Sequence, residues 1–257
     1  SLFQANSALD GGGLYIATGS TATLNTVTLK SNTGGYGGGL ENSGTVTLND
    51  SLVDLNIVTG VGGGIWNLLG GIVTLVRTTV SNNSASEGAG INSYGSHIEI
   101  SDANIVNNVT TGSHGGGVYV SGGTAFITNA TISGNHAVGA TSNGGGVYYN
   151  SDGNMTLTNV TLANNQADFF GGGLYHYGRY AILTNVTIGN NTALAGDAIY
   201  EDSPTTFLVQ MKNSVIFGSA NNCDGGIFDS LGHNISKGTC SALSQPTDQN
   251  NFAGNLN

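Results

Sequence analysis

The sequence predicts an all-β protein, a single-stranded, right-handed parallel β-helix (solenoid) of about eight to nine coils with roughly 25–29 residues each. Three observations predict it. Glycine triplets or close variants begin at Gly11, Gly37, Gly62, Gly88, Gly115, Gly144, Gly171 and Gly196, in steps of 25 to 29 residues. A fixed period in the twenties is the mark of a stacked repeat. Apolar residues then recur in columns at that period, and an asparagine follows them in seven successive repeats. Helix signals are nearly absent, whereas β-branched residues and glycine are abundant.

The elements follow in order along one repeat. After each triplet stands an aliphatic residue: Leu14, Leu40, Ile65, Ile91, Val118, Val147, Leu174 and Ile199. A segment of the type "LTNVTL" comes next, in which apolar residues often alternate with Thr or Asn, the period of a strand. Its first apolar column is Leu24, Leu48, Leu75, Ile100, Ile127, Leu157, Leu183 and Met211; its second is Leu29, Val53, Val80, Ile105, Ile132, Leu162, Ile188 and Ile216. Two or three short strands per coil are expected. One coil alone has no core, but stacked coils bury these columns about 4.8 Å apart. The asparagines are Asn32, Asn56, Asn83, Asn108, Asn135, Asn165 and Asn191. They read as a structural ladder of amides that hydrogen-bond along the stack and satisfy turn backbone. The triplets read as tight corners, since a phosphate-cradling glycine loop occurs once, between a strand and a helix, and not eight times.

Residues 1–222 are assigned to the repeats and 223–257 to a C-terminal coil and cap. "SLFQAN" is half a rung, so the chain opens mid-coil, and either preceding protein or a second copy is expected to cover that end. Copies stacked end to end would build a filament. Cys223 and Cys240 lack CxxC spacing and are expected to pair as a disulfide, with free thiols as the alternative. Pairing, low charge and abundant Asn, Thr and Ser point to an extracellular or cell-surface setting.

The chain carries 15 acidic and 5 basic residues, a net charge of −10 over 257 residues. That balance excludes a nucleic-acid partner, which needs a basic stripe. No apolar run approaches the ~18 residues of a membrane helix, so this segment is not expected to insert in a membrane.

The words "GGGLY" and "LTNVTLANNQA" resemble the β-helix repeats of bacterial polymorphic outer-membrane proteins, built on Gly-Gly-Ala-Ile and Phe-x-x-Asn; Phe3–Asn6 matches the second motif. The stretch "NSVIFGSANNCDGGIFDSLGHNISKGTC" is similar to the end of the choice-of-anchor family of secreted bacterial β-helices, where a cysteine pair brackets Gly-Tyr-Asn, here Gly232, His233 and Asn234. The resemblance implies a right-handed β-helix, export and surface display, and it implies no catalytic residues.

Two surfaces are candidates for binding. Tyr15, Trp66, Tyr119, Tyr148, Tyr175 and Tyr200 share one column, interrupted by Glu41 and Asn92. Pointing outward, they would form either an aromatic platform for glycans or a stack of rings shielding the sheet. The corner between the asparagine column and the next triplet varies most in length, as binding edges of solenoids do. It holds His114, His136, Asp168, Phe169 and Phe170. Two histidines beside Asp168 raise the question of a metal, but loops set their spacing, and neither a metal nor a cofactor is assigned. Asp152 and Arg179 should meet on adjacent rungs as a surface ion pair or, less simply, as part of a polysaccharide lyase site. The functional expectation is a non-enzymatic adhesin, stalk or filament-forming protein; the alternative is a polysaccharide-active enzyme or glycan-binding module. No catalytic residue is assigned. Nine N-x-S/T sequons fall at Asn49, Asn82, Asn108, Asn129, Asn154, Asn159, Asn185, Asn190 and Asn234.

Overall fold

A computed structural model describes residues 1–203, 208–240 and 243–254. Strands and turns alone build it, in a parallel solenoid of about eight turns. The first full coil shows the plan: Leu14–Ile16, Thr21–Asn25, Thr28–Lys30 and Thr33–Tyr36, closed by the triplet at Gly37. That coil thus has four short strands, one more than the two or three expected; coils in which the first two strands fuse, such as the one at Ile91–Ser101, and the coil at Ile199–Glu201 have three among the described residues. The additional strand is the two- to four-residue segment after the asparagine, too short to show an alternation in sequence.

Stacking joins like strands in parallel. The third strand of each coil forms a ten-stranded sheet, from Leu2–Gln4 to Ile235–Ser236. The fourth forms a seven-stranded sheet, and the first and second share a sixteen-stranded one, fused where Ile91–Ser101 and Val118–Thr128 run on without a break. The apolar columns fall in register: Leu24 opposite Leu48, Leu48 opposite Leu75, Leu75 opposite Ile100 and Ile100 opposite Ile127. The column from Leu29 through Val53, Val80 and Ile105 to Ile132 does the same. These side chains make one continuous core, nearly all of it without solvent exposure.

The first glycine of every triplet is left-handed, at φ of 54° to 69°. At Gly144 a Cβ would stand 2.5 Å from the Val147 carbonyl oxygen, so neither conformation nor space admits a side chain. The third glycine is needed for a different reason: at Gly146 a Cβ would lie 2.6 Å from the Gly173 carbonyl oxygen of the next coil. Gly144→Ala is expected to lower stability by about 2 kcal/mol or more, measured by chemical denaturation. A second left-handed corner, between the second and third strands, holds Thr26, Asp50, Arg77, Asp102, Asn129, Asn159, Asn185 and Asn213. Asparagine and aspartate tolerate that conformation best among residues with a side chain, which is why the column reads mostly Asn or Asp.

The asparagine column is a closed hydrogen-bond system. Asn83 donates its backbone N–H and its Nδ2 to Oδ1 of Asn108, at 3.0 and 2.9 Å. Asn108 donates Nδ2 to Oδ1 of Asn135 and to the Val80 carbonyl oxygen, at 3.0 and 3.1 Å. The pattern runs from Asn6 to Asn191. It holds although the spacing of the asparagines ranges from 24 to 30 residues, because the corner loops and the turns between the first and second strands absorb the difference.

A second column inside the barrel, two residues after the aliphatic position of each first strand, is polar in several coils. Asn42 donates to Oδ1 of Asn67 at 2.8 Å, and Asn67 to the Ser96 hydroxyl at 3.0 Å. Further along stand Tyr149, His176 and Glu201, all buried. His176 Nδ1 lies 2.6 Å from Glu201 Oε2, and Glu201 Oε1 accepts the Ser203 N–H at 2.8 Å.

At the C-terminal end Cys223 and Cys240 form a disulfide. Cys223–Gly225, Phe228–Ser230 and Ile235–Ser236 still pair with the preceding coil. Asp248 closes the last rung: Oδ1 accepts the Asn234 N–H and Oδ2 the Ser230 hydroxyl. These hydrogen bonds, with one from the Gln245 N–H, hold its carboxyl below the usual range, against burial.

The sequons divide by environment. Asn82, Asn129, Asn154, Asn159, Asn185 and Asn190 are exposed, whereas Asn108 and Asn234 are fully buried and hydrogen-bonded. In a secretory host that glycosylates, folded protein is expected to carry glycans at exposed sites and none at Asn108 or Asn234; glycopeptide mass spectrometry checks this.

Candidate functional site

The triplet corner brings two columns side by side. One is the residue just before each triplet; the other is the residue four beyond its first glycine. Because that glycine reverses the chain, the second column's Cβ packs against it: a Cβ on Gly115 would meet that of Tyr119 at 2.6 Å. The aromatic column and the variable loop edge are therefore one surface. Sequence reading had them as two, since the residues are five apart along the chain and only the left-handed glycine makes them neighbours.

At the centre of this surface Tyr119, Tyr148, Tyr175 and Tyr200 form a stack. Ring centroids lie 4.9, 4.9 and 5.8 Å apart, with planes within 3°. His114 stacks on Tyr148 at 4.6 Å, and Phe170 on Tyr200 at 4.2 Å with Phe169 behind it. Such contacts add about 0.5–1.5 kcal/mol each beyond area burial. They also leave Tyr148 and Tyr175 only 7% and 5% exposed, so these rings spend their faces on one another. Burial pushes the Tyr119, Tyr148 and Tyr175 hydroxyls well up, and Tyr175 donates to Asp202 Oδ2 at 2.5 Å.

Tyr15 and Trp66 are not part of this stack. Asn92 separates Trp66 from Tyr119, and Glu41 stands between Tyr15 and Trp66 in register with both. Trp66 instead packs on Tyr36, from the neighbouring column, at 4.8 Å. Tyr15 is half exposed. Sequence reading treated Glu41 as an interruption and did not single out Tyr36 or Asp10; their recurrence one place before a triplet was the available signal.

The loop-edge residues go to different partners. His136 Nε2 lies 2.7 Å from Asp168 Oδ1, and Asp168 Oδ2 accepts the Gly139 N–H at 2.9 Å. These bonds hold the Asp168 carboxyl below its usual range against the effect of burial. His114 does not join them. Its Nδ1 accepts the Asn143 N–H at 3.0 Å, and burial lowers its pKa. Among the described residues no three His, Cys, Asp or Glu side chains come together as a metal would require. Beside Asp168 an open groove of about 320 Å³ is lined by Gln166, Ala167, Thr192, Ala193 and Leu194.

The Asp152–Arg179 pair is not formed among the described ion pairs. The first strands of these coils are offset by 27 residues but the second strands by 26, so the turn between them shifts the register. Arg179 lies 5.8 Å from the Tyr180 ring centroid instead.

Compared with family models, with curated proteins and with solved structures, the chain matches none.

Proposed function

We propose that the protein is a non-enzymatic, secreted or surface-displayed rod, an adhesin or stalk, that carries its binding surface along the triplet corner. The observation that carries this reading is the uninterrupted amide ladder from Asn6 to Asn191, which ties each of these coils to the next by hydrogen bonds that are buried from Asn32 onward. Such a lattice serves stiffness and display. About eight turns at ~4.8 Å give a rod about 40 Å long. The Cys223–Cys240 disulfide supports an oxidising compartment, and the repeat words support a bacterial surface protein.

The corner offers sugar rings the Asp168 groove and the exposed aromatic Tyr15, whereas further copies of the chain would stack end to end across the first and last coils. The test is a glycan array run beside a turnover panel of neutral and acidic polysaccharides, with electron microscopy of the same sample. Binding without turnover, or rods joined into threads, is the expected result. Release of reducing ends from any polysaccharide would overturn it in favour of an enzyme on the same scaffold.

A further inference from the structure

One corner of the first three coils is built unlike the rest. Its residues form a small grid: Asp10 and Tyr15 in one coil, Tyr36 and Glu41 in the next, Trp66 in the third. Asp10 is in register with Tyr36, and Glu41 with both Tyr15 and Trp66.

Glu41 is the anomaly. Leu40 and Asn42 on either side of it belong to the buried interior, so alternation sends Glu41 out of the barrel with Tyr15 and Trp66. Yet Glu41 is only 5% exposed, and its Oε2 is buried with no hydrogen-bond partner. A buried, unpaired carboxylate oxygen is costly, and a nearby like charge adds to the cost. Burial first, then the neighbouring Asp10 carboxylate, pushes Glu41 up to about 7, against a hydrogen bond from the Gly11 N–H. No basic side chain pairs with Glu41 or Asp10 among the described ion pairs.

Tyr15 and Trp66 flank Glu41 in register on the neighbouring coils, and Tyr36 packs on Trp66. Tyr36 and Trp66 meet at 4.8 Å with planes tilted by 32°, and Tyr15 and Tyr36 are 50% and 39% exposed. Tyr15 and Tyr36 thus keep ring surface open to solvent, in contrast to the buried Tyr148 and Tyr175 further along. Aromatic faces over an acid attract one class of group, a desolvated organic cation: the ring quadrupoles and the carboxylates act together. Among the described residues no third His, Cys, Asp or Glu joins these two carboxylates. The net charge of −10 favours the approach of a cation.

We propose that Tyr15, Tyr36 and Trp66, with Glu41 and Asp10 beneath and beside them, form a binding site for an alkylated ammonium group. The site does not depend on the stalk reading: either can fail alone. Its readout is built in, because Trp66 is the one tryptophan of the chain.

The experiment titrates the protein with tetramethylammonium chloride and follows Trp66 emission, with sodium chloride at equal ionic strength as control. A saturable change with tetramethylammonium and none with sodium is expected. Glu41→Gln and Tyr15→Ala should each weaken binding at least ten-fold. Tyr15 is a surface residue whose loss leaves the core untouched, so its variant keeps the test valid should Glu41→Gln disturb the fold. Choline and N-trimethyl-lysine probes then separate a choline head group from a methylated side chain as the source. Coincident tetramethylammonium and sodium curves would overturn the proposal, as would variants that bind like the parent.

Discussion

Glu201→Ala is expected to destabilise the C-terminal coils by about 3–5 kcal/mol, the order of cost of removing a buried carboxyl and leaving its hydrogen-bond partners unsatisfied. Glu201 and His176 are both fully inside the barrel and 2.6 Å apart, and His176 Nε2 already lacks a partner. Without the carboxylate, both imidazole nitrogens are stranded among apolar side chains, and the Ser203 N–H loses its acceptor. The double variant His176→Leu, Glu201→Met should recover most of that loss, because replacing both buried polar partners by apolar groups of similar shape leaves neither unsatisfied. The shape of the transition matters as much as its midpoint. A solenoid is held by nearest-neighbour contacts, so a weak coil can open while distant coils persist. Trp66 lies on the opposite half of the chain. Circular dichroism should therefore show an early step in urea that Trp66 fluorescence does not. A single coincident transition would mean that the coils are more strongly coupled than their contacts imply.

Asn108→Ala should cost about 3–6 kcal/mol, from several unsatisfied groups at about 1–3 kcal/mol each. Four hydrogen bonds go with the side chain: two received from Asn83 and two given to Asn135 and Val80. The Asn83 N–H and the Val80 carbonyl are then left in a dry interior. Asn6 supplies the comparison, being exposed and donating only at the outermost rung. Asn6→Ala should cost about 1 kcal/mol or less. Equal losses at Asn6 and Asn108 in a denaturation series would refute the claim that the ladder acts through burial.

Much of this architecture was legible in the residues. Leu24, Leu48 and Leu75 stand above one another because a repeated spacing maps onto a repeated coil. The asparagines were legible for the same reason. What escaped was the direction of side chains in strands of three residues, where alternation has no length over which to declare itself. Asn42, Asn67, His176 and Glu201 look like surface residues in sequence and turn out to line the interior. The meeting of His114 with Tyr148, and of Tyr36 with Trp66, was hidden by the glycine between them, whose left-handed φ folds two separated positions into one row. The expected Asp152–Arg179 contact failed through a one-residue change in a turn, which period counting cannot see.

The ladder that keeps its geometry over asparagine spacings of 24 to 30 residues has a consequence for how such a chain can change. Length variation is confined to two bends, the loop before the triplet and the turn between the first and second strands, while every hydrogen-bonded rung keeps its place. A peptide grafted between Gly139 and Ser142 would ride outside the stack as a passenger, and duplication of one whole coil would extend the protein as adding a link extends a chain.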